Sequence, residues 1–303
     1  MKRYRICGFD FDARANILNQ STEGWSEEAK ANFQKQTQQI EQEIINEFGI
    51  TDKIAKIKRF KEMGAKPLSI IAYHNFLLNQ IRSAYIQGGF YPALTGACAL
   101  GERILNHLIL DLRDLYNKGE GKLGEHPCKD CDKLKELKLK GLVKPEFDIF
   151  TCKSCSNWDL MINNLIKWEV INSDIKSLFK KLSKKRHKSL HFNTDTINNL
   201  ENESLESIKL LQEIIQKLFP AFGSSYFIPA KGEAYLKKEL ESKPFFKKYY
   251  IPNSKLVSPF HEVKLVTPNF IIEDTKADED KEITDEEFIR LREEFLGRKN
   301  SKK

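Results

Sequence analysis

Long hydrophobic runs are missing from this 303-residue chain. No stretch approaches the roughly eighteen apolar residues that a membrane-spanning helix needs, which excludes a helical membrane protein and leaves the membrane out of the expected partners. No secretory leader is expected from the opening residues either. The basic start Met1-Lys2-Arg3-Tyr4-Arg5 runs into Ile6-Cys7-Gly8-Phe9-Asp10 before any apolar core of a signal peptide develops. The expected location is therefore cytoplasmic. There is no internal repeat, which argues against a solenoid, and no low-complexity majority. With 40% hydrophobic and 31% charged residues, the chain can build one sizeable core with appendages or two modest domains. Asp10-Phe11-Asp12 resembles the paired aspartates of phosphatases, but no Thr or Ser follows at the place that chemistry requires.

Positive charge is present in excess, at a net +7, and its distribution matters more than its size. Seven of the thirteen residues from Lys176 to Lys188 are Lys or Arg, whereas Glu273 to Glu287 holds nine acidic residues against two lysines. A local basic cluster suits a polyanion, because phosphate neutralisation supplies most sequence-independent nucleic-acid affinity. Lys180, Lys181, Lys184, Lys185 and Lys188 are the expected phosphate contacts if RNA is bound; otherwise they form a solvated helix face.

Four of the six cysteines fall as Cys128-x2-Cys131 and Cys152-x2-Cys155, with twenty residues between the pairs. Two thiolates from each of two tight turns give the tetrahedral sulfur set that zinc favours, and the spacing fits a zinc ribbon. Four protein ligands would close the site, so the expected zinc is structural. Two disulfides or free thiols are the alternatives, and a reducing cytoplasm disfavours the disulfides. Cys7 and Cys98 lack such a partner, and Cys98, among Ala97, Ala99 and Leu100, reads as a buried small hydrophobe.

The periodicities predict a mainly α fold. A helix carrying Phe33, Thr37, Ile40, Ile44 and Phe48 stops at Gly49, inside an N-terminal accessory segment, residues 1–62, that opens with a possible strand over Tyr4 to Phe11. A helical domain follows over 63–220. Its first helix uses Ile70, Ile71, Phe76, Leu77, Ile81 and Tyr85. Its second, opened by Pro92, buries Leu94, Cys98, Leu105, Leu108, Leu112 and Leu115. Residues 119–156 insert the zinc ribbon. Further helices cover Trp158 to Trp168, the run after Ser173 as N-cap, and Glu201 to Phe219. A small mixed C-terminal extension, 221–303, has strands near Tyr249 to Ile251 and Val263 to Val266. The aromatic and lysine run 243–250 within it reads as a strand filling a core rather than a base-stacking surface. A Thr284-x2-Glu287 capping box opens a last helix after the acidic tail begins.

The chemistry concentrates in Arg186-His187-Lys188-Ser189-Leu190-His191. A permanently charged guanidinium and a side chain titrating near neutrality are a phosphate clamp and a proton carrier, enough to break an RNA phosphodiester without a metal. On an ideal helix Arg186 and His191 are about 140° apart, so a bend or a second subunit must bring them together. The segment, with its stripe Ile171, Ile175, Leu178, Phe179 and Leu182, resembles the R-polar-x3-H signature of HEPN domains, helical modules common in prokaryotic RNases. Tyr85 to Leu94 and Gly101-Glu102-Arg103-Ile104-Leu105 are similar to the hairpin that precedes that motif, and the resemblance covers about residues 66–219.

That resemblance implies a metal-independent endoribonuclease leaving 2′,3′-cyclic phosphate and 5′-OH ends, with Arg186 and His191 catalytic. It also implies His187 as an orienting residue and Glu102 as an acidic buttress facing the motif. A homodimer completing the site, a role in anti-phage or toxin–antitoxin defence and a neutralising antitoxin or defence partner are implied with it. A non-catalytic zinc-ribbon adaptor for nucleic acid or protein, or a nucleotide-sensing regulatory subunit, fits the same signature. His187 and His191, at i and i+4, are also half of a metal site that no nearby carboxylate completes.

Overall fold

The computed structural model describes residues 1–7, 12–67, 69–117, 157–190, 194, 198–220, 225–230, 233–266, 269–276 and 281–300. It is mainly helical and divides into two units, Asp10–Phe219 and Met1–Phe9 with Pro220–Lys303. No described helix is long and apolar enough to cross a membrane.

The helical unit starts with α1 (Arg14–Leu18), α2 (Glu27–Phe48) and α3 (Lys53–Met63). Ser26 caps α2 by accepting from the Ala29 amide at 3.2 Å, with Glu27 and Glu28 in the positive first turn. Gly49 ends it at φ 83°, a backbone position that disfavours a side chain. The orphaned carbonyls there are met by the buried Lys56, whose ammonium donates to Phe48 O at 2.7 Å and Gly49 O at 3.3 Å. Ile40, Ile44, Phe60 and Met63 are buried, and α3 packs on the next helix, α4 (Ala72–Ile86). The domain boundary expected at residue 62 is therefore not a structural one. A sequence of moderate amphipathicity reads as a detached segment until its apolar stripe meets the bundle.

From α4 the chain turns at Gly88 (φ 84°) into the long α5 (Phe90–Asn117). α5 is the axis of the unit: α4, α6 (Trp158–Lys167), α7 (Ser173–Leu190) and α8 (Leu200–Leu218) all pack against it. Two glycines permit that crowding. A Cβ on Gly96 would lie 2.9 Å from Ile81 Cγ1 of α4, and one on Gly101 only 2.5 Å from Leu182 Cδ2 of α7. Leu94, Cys98, Leu105, Leu108 and Leu112 are buried as expected, whereas Leu115 and Phe76 are 43% and 59% exposed. The α4 interior is taken instead by Leu78, Ile81, Tyr85 and Ile86 together with polar His74, Asn75 and Arg82, a substitution of polar for apolar side chains that a hydrophobic pattern cannot report. The cap of α7 is Asn172, accepting from the Ile175 amide at 3.0 Å, and Ser173 is the first helical residue rather than the cap.

In the second unit β1 (Arg3–Ile6) pairs antiparallel with β2 (Ser254–Val257), and β3 (His261–Val266) with β4 (Asn269–Asp274). Ile228, Tyr235, Val257 and Phe288 form its core. The 243–250 run is not a strand: Pro244 opens a helix, α9 (Pro244–Tyr249), consistent with proline's fixed φ at a first helical turn. Its aromatics Phe245, Phe246, Tyr249 and Tyr250 are nevertheless buried core. Thr284 caps α10 (Asp285–Asn300), its Oγ1 accepting from the Glu287 amide at 3.2 Å, which is the threonine half of the expected box. Glu233 holds this unit together, taking both arms of Arg292 at 2.9 Å and the Tyr235 hydroxyl.

Candidate functional site

The motif helix is positioned by its dry face. Ile175, Leu178, Phe179 and Leu182 are all buried, and the bare Gly101 lets Leu182 press onto the α5 backbone. One turn further along that face of α7 is Arg186, and one residue further along α5 is Glu102. The close helix contact thus delivers the two side chains to each other. Arg186 Nε donates to Glu102 Oε2 at 3.0 Å and Nη2 to Oε1 at 3.3 Å, a fork-to-fork pair that fixes the plane of the guanidinium. The pair is half-buried, with Arg186 35% and Glu102 25% exposed. Nη1 has no partner among the described residues, so part of the guanidinium is left to solvent or substrate.

Around the pair lie groups that sequence reasoning passed over or ranked low. Ser189 is buried and its hydroxyl donates to Arg186 O at 2.9 Å, tying down the motif turn. Cys98, one turn before Glu102, is buried as expected. Burial pushes its thiol up to about 11 against the pull of Ser189 and the Arg186 charge, so it is a packed thiol and no nucleophile. Asn106, one turn past Glu102, has a buried Oδ1 without a hydrogen-bond partner among the described residues. Such an atom has an energetic reason to bind something, and burial, not sequence, reveals it. His187 is exposed. His191 lies outside the described residues, as do Cys128, Cys131, Cys152 and Cys155. No cluster of three or more metal-ligating side chains occurs among the described residues.

The five lysines do not act as one set. Lys181, Lys184, Lys185 and Lys188 line a groove of about 480 Å³ between α7 and α8, joined by Lys209, Leu210, Glu206 and Glu213. Within it Lys185 is neutralised, bonded to Glu203 at 2.7 Å and also to Glu206, and these contacts raise its pKa over the opposing effect of burial. It braces the two helices and is not a ready phosphate contact. Lys180 points elsewhere, 3.8 Å from Asp159 on α6. Lys181, Lys184 and Lys188 are exposed in the groove, and Lys209, on another helix, completes their charge. A single helix projection misses Lys209 because the groove is made by two helices.

No protein-family model matches this chain, and neither a curated protein nor a solved structure is similar to it. The functional reading therefore stands on the residues and their geometry.

Proposed function

We propose that the helical unit is a HEPN-type endoribonuclease. The observation that carries the reading is the oriented, half-open Arg186 guanidinium, fixed by Glu102 beside a lysine groove. In the proposed reaction the ribose 2′-oxygen attacks the adjacent phosphorus and the 5′-oxygen leaves, producing a 2′,3′-cyclic phosphate and a 5′-OH. Arg186 stabilises the charge that builds on the phosphorane oxygens, and Glu102 holds it in plane for that task. His191 moves the proton between the 2′-oxygen and the leaving 5′-oxygen, with His187 orienting the backbone. No metal is required in the step. RNA approaches over Lys181, Lys184, Lys188 and Lys209, and a second copy of the chain supplies the opposite half of the site. The zinc that Cys128, Cys131, Cys152 and Cys155 would hold has a structural role, checked by stoichiometric metal content that falls when Cys128 and Cys131 are replaced by Ser. A place in prokaryotic anti-phage or toxin–antitoxin defence, with a neutralising partner, rests on the motif resemblance alone.

The test is incubation of a mixed-sequence RNA with the purified chain in EDTA, beside Arg186→Ala and His191→Ala, with product ends identified by mass. Cyclic-phosphate ends that vanish in both variants support the reading, and no cleavage by the wild-type chain under any condition removes it. The same ion pair favours one other reading. A guanidinium already satisfied by a carboxylate can simply join two helices in a non-catalytic adaptor. The adaptor predicts that Arg186→Ala and His191→Ala change RNA affinity or stability and never turnover.

A further inference from the structure

The most exposed large apolar side chains of the helical unit have two different settings. Ile50 and Ile54, 73% and 79% exposed, stand at the corner between α2 and α3 among exposed Asp52, Lys53 and Lys58, and single apolar residues in a charged setting are ordinary protein surface. Phe76 on α4 and Tyr91 on α5, 59% and 54% exposed, have no such surroundings. In a chain that is 31% charged, the sole charged side chain from Pro67 to Gly101 is Arg82, and it is buried. The solvent side of α4 and of the first half of α5 is therefore without charge. Tyr73, Phe76 and Gln80 are exposed on the one helix, Pro92 and Ala99 on the other.

These residues share one face. His74 stacks on His107 and Ile81 lies against Gly96, so α4 and α5 run side by side and antiparallel along the length of α4. In that register Phe76 stands about level with Arg103, and Gln80 with Ala99. Ala99, Arg103 and Asn106 follow one another at helical spacing along the outer ridge of α5, where Arg103 brings the first exposed charge. Glu102 lies beside that ridge, a quarter exposed and bonded to Arg186. A body that covers the ridge therefore closes one side of the Arg186 site.

Loss of charge together with exposed aromatic residues is the composition of an interface core, and apolar character is strongest where copies of one chain meet. A two-fold pairing sets a patch against itself, so a charged patch would meet its own sign and an uncharged one does not. The size also fits. Two adjacent helices are about 20 Å across, and α5 from Phe90 to Leu110 is about 30 Å long, on the scale of the about 800 Å² that each partner gives to a standard interface. Ala99, near the middle of the ridge, is small enough to let two helices cross closely.

We infer that a second copy of this chain docks on the α4–α5 face, with Tyr73, Phe76 and Ala99 at the centre of the contact and Glu102 at its edge. The choice of a second copy rests on the two-copy site of the ribonuclease reading as well as on the missing charge.

Sedimentation equilibrium of the full chain across the micromolar range tests this, and wild type should approach twice the 35.2 kDa chain mass. Phe76→Glu and Ala99→Glu, both at exposed positions, should each weaken association about tenfold or more, because each sets like charges in the centre of a two-fold contact, while the denaturant midpoint stays near that of wild type. Ile54→Glu, at the other apolar corner, should leave association unchanged. A wild-type chain that stays monomeric throughout the range would overturn the assignment, as would a dimer that Ile54→Glu breaks and the other two variants do not. RNA cleavage in EDTA by the same samples separates the two readings. Cleavage by a wild-type chain whose dimer survives Phe76→Glu and Ala99→Glu removes this face and keeps the nuclease. A dimer lost in both variants of a chain that never cleaves RNA keeps the face and removes the nuclease.

Discussion

At the scale of single residues, the ion pair between Arg186 and Glu102 depends on an atom that is missing, the Cβ of Gly101. A methyl group there would stand 2.5 Å from Leu182 Cδ2 and 3.4 Å from Trp158, inside a contact already free of space. Leu182 is fully buried and cannot swing away. Gly101→Ala should therefore destabilise the helical unit by about 1–3 kcal/mol, the usual cost of overpacking, despite alanine's better helix propensity. Because the clash is with one side chain, the damage should be less than additive with Leu182→Ala, which opens the space the methyl needs. Chemical denaturation of the two single variants and the double variant measures this, and strict additivity would sink the explanation. A second expectation is specific to the site. Glu102→Gln keeps one oxygen for Arg186 but loses the bidentate charge pair, so cleavage should fall by tenfold or more, order of magnitude, with a smaller change in KM. Equal losses in kcat and RNA affinity would instead assign Glu102 to binding.

At the scale of elements, the basic groove separates lysines that bind from a lysine that braces. Lys181, Lys184 and Lys188 project from α7 into the groove without carboxylate partners among the described residues, whereas Lys185 is saturated by Glu203 and Glu206 of α8. Each phosphate contact with single-stranded RNA contributes about −0.7 to the slope of log affinity against log salt. Replacing Lys181, Lys184 or Lys188 with Gln should flatten that slope by about this amount each, while Lys185→Gln leaves it nearly unchanged. A Lys185 variant that lowers the slope as much as its neighbours would show that the acidic brace opens on binding. The same groove shows what the sequence could tell. Helical period and charge runs located α7, its apolar stripe and the Arg186 side of the site, since those properties repeat along one element. The involvement of Lys209 and the pairing of Lys185 arise from contact between helices and leave no periodic trace, and Glu102 is reached through the motif resemblance and not through any period. The α4 interior differs from the pattern for a related reason: His74 and Arg82 meet partners distant in sequence, His107 for one and Gln212 for the other, Asn75 is tied to nearby Ser69, and pattern assigns polar residues to the surface. The Pro244 helix, read as a strand, is short enough that aromatic propensity outweighed the proline signal.

Across the whole molecule, each of the two units buries a histidine in its neutral form, and this sets how stability responds to pH. His74 of the helical unit is fully enclosed, stacked on His107 with ring centroids 5.6 Å apart and against Phe219; its Nδ1 has no hydrogen-bond partner among the described residues. Burial first, and then the neighbouring His107, lowers its pKa to about 3. In the second unit His261 is lowered to about 4 by burial and the Arg292 charge, against a raising hydrogen bond with Ser258 O and the nearby Glu233. An unfolded histidine titrates near 6.5. Between that value and the folded one, the unfolded chain holds more protons than the folded chain, so falling pH favours unfolding. The stabilisation is complete above pH 6.5 and is lost progressively down to about pH 3 for His74 and about pH 4 for His261, at up to about 1.4 kcal/mol per pH unit for each histidine. Carboxylates whose folded pKa is lowered, among them Asp12, Glu233 and Asp274, add their own loss only at more acidic pH, because their unfolded values are near 4. The interval from pH 6.5 to 5 thus reports the histidines. His107 is lowered as well, by burial first, and contributes in the same direction. His74→Phe replaces an enclosed ring with one of similar shape that cannot take a proton, in a pocket already walled by aromatics. At pH 7.5 it should be close to wild type in denaturant midpoint. At pH 5 it should be the more stable protein, with the pH slope of the helical unit reduced by about one proton's worth. Denaturation followed at half-unit steps from pH 7.5 to 5 decides the matter: a wild-type profile flat across that interval, or a variant as acid-sensitive as wild type, would mean that His74 accepts its proton without leaving the fold.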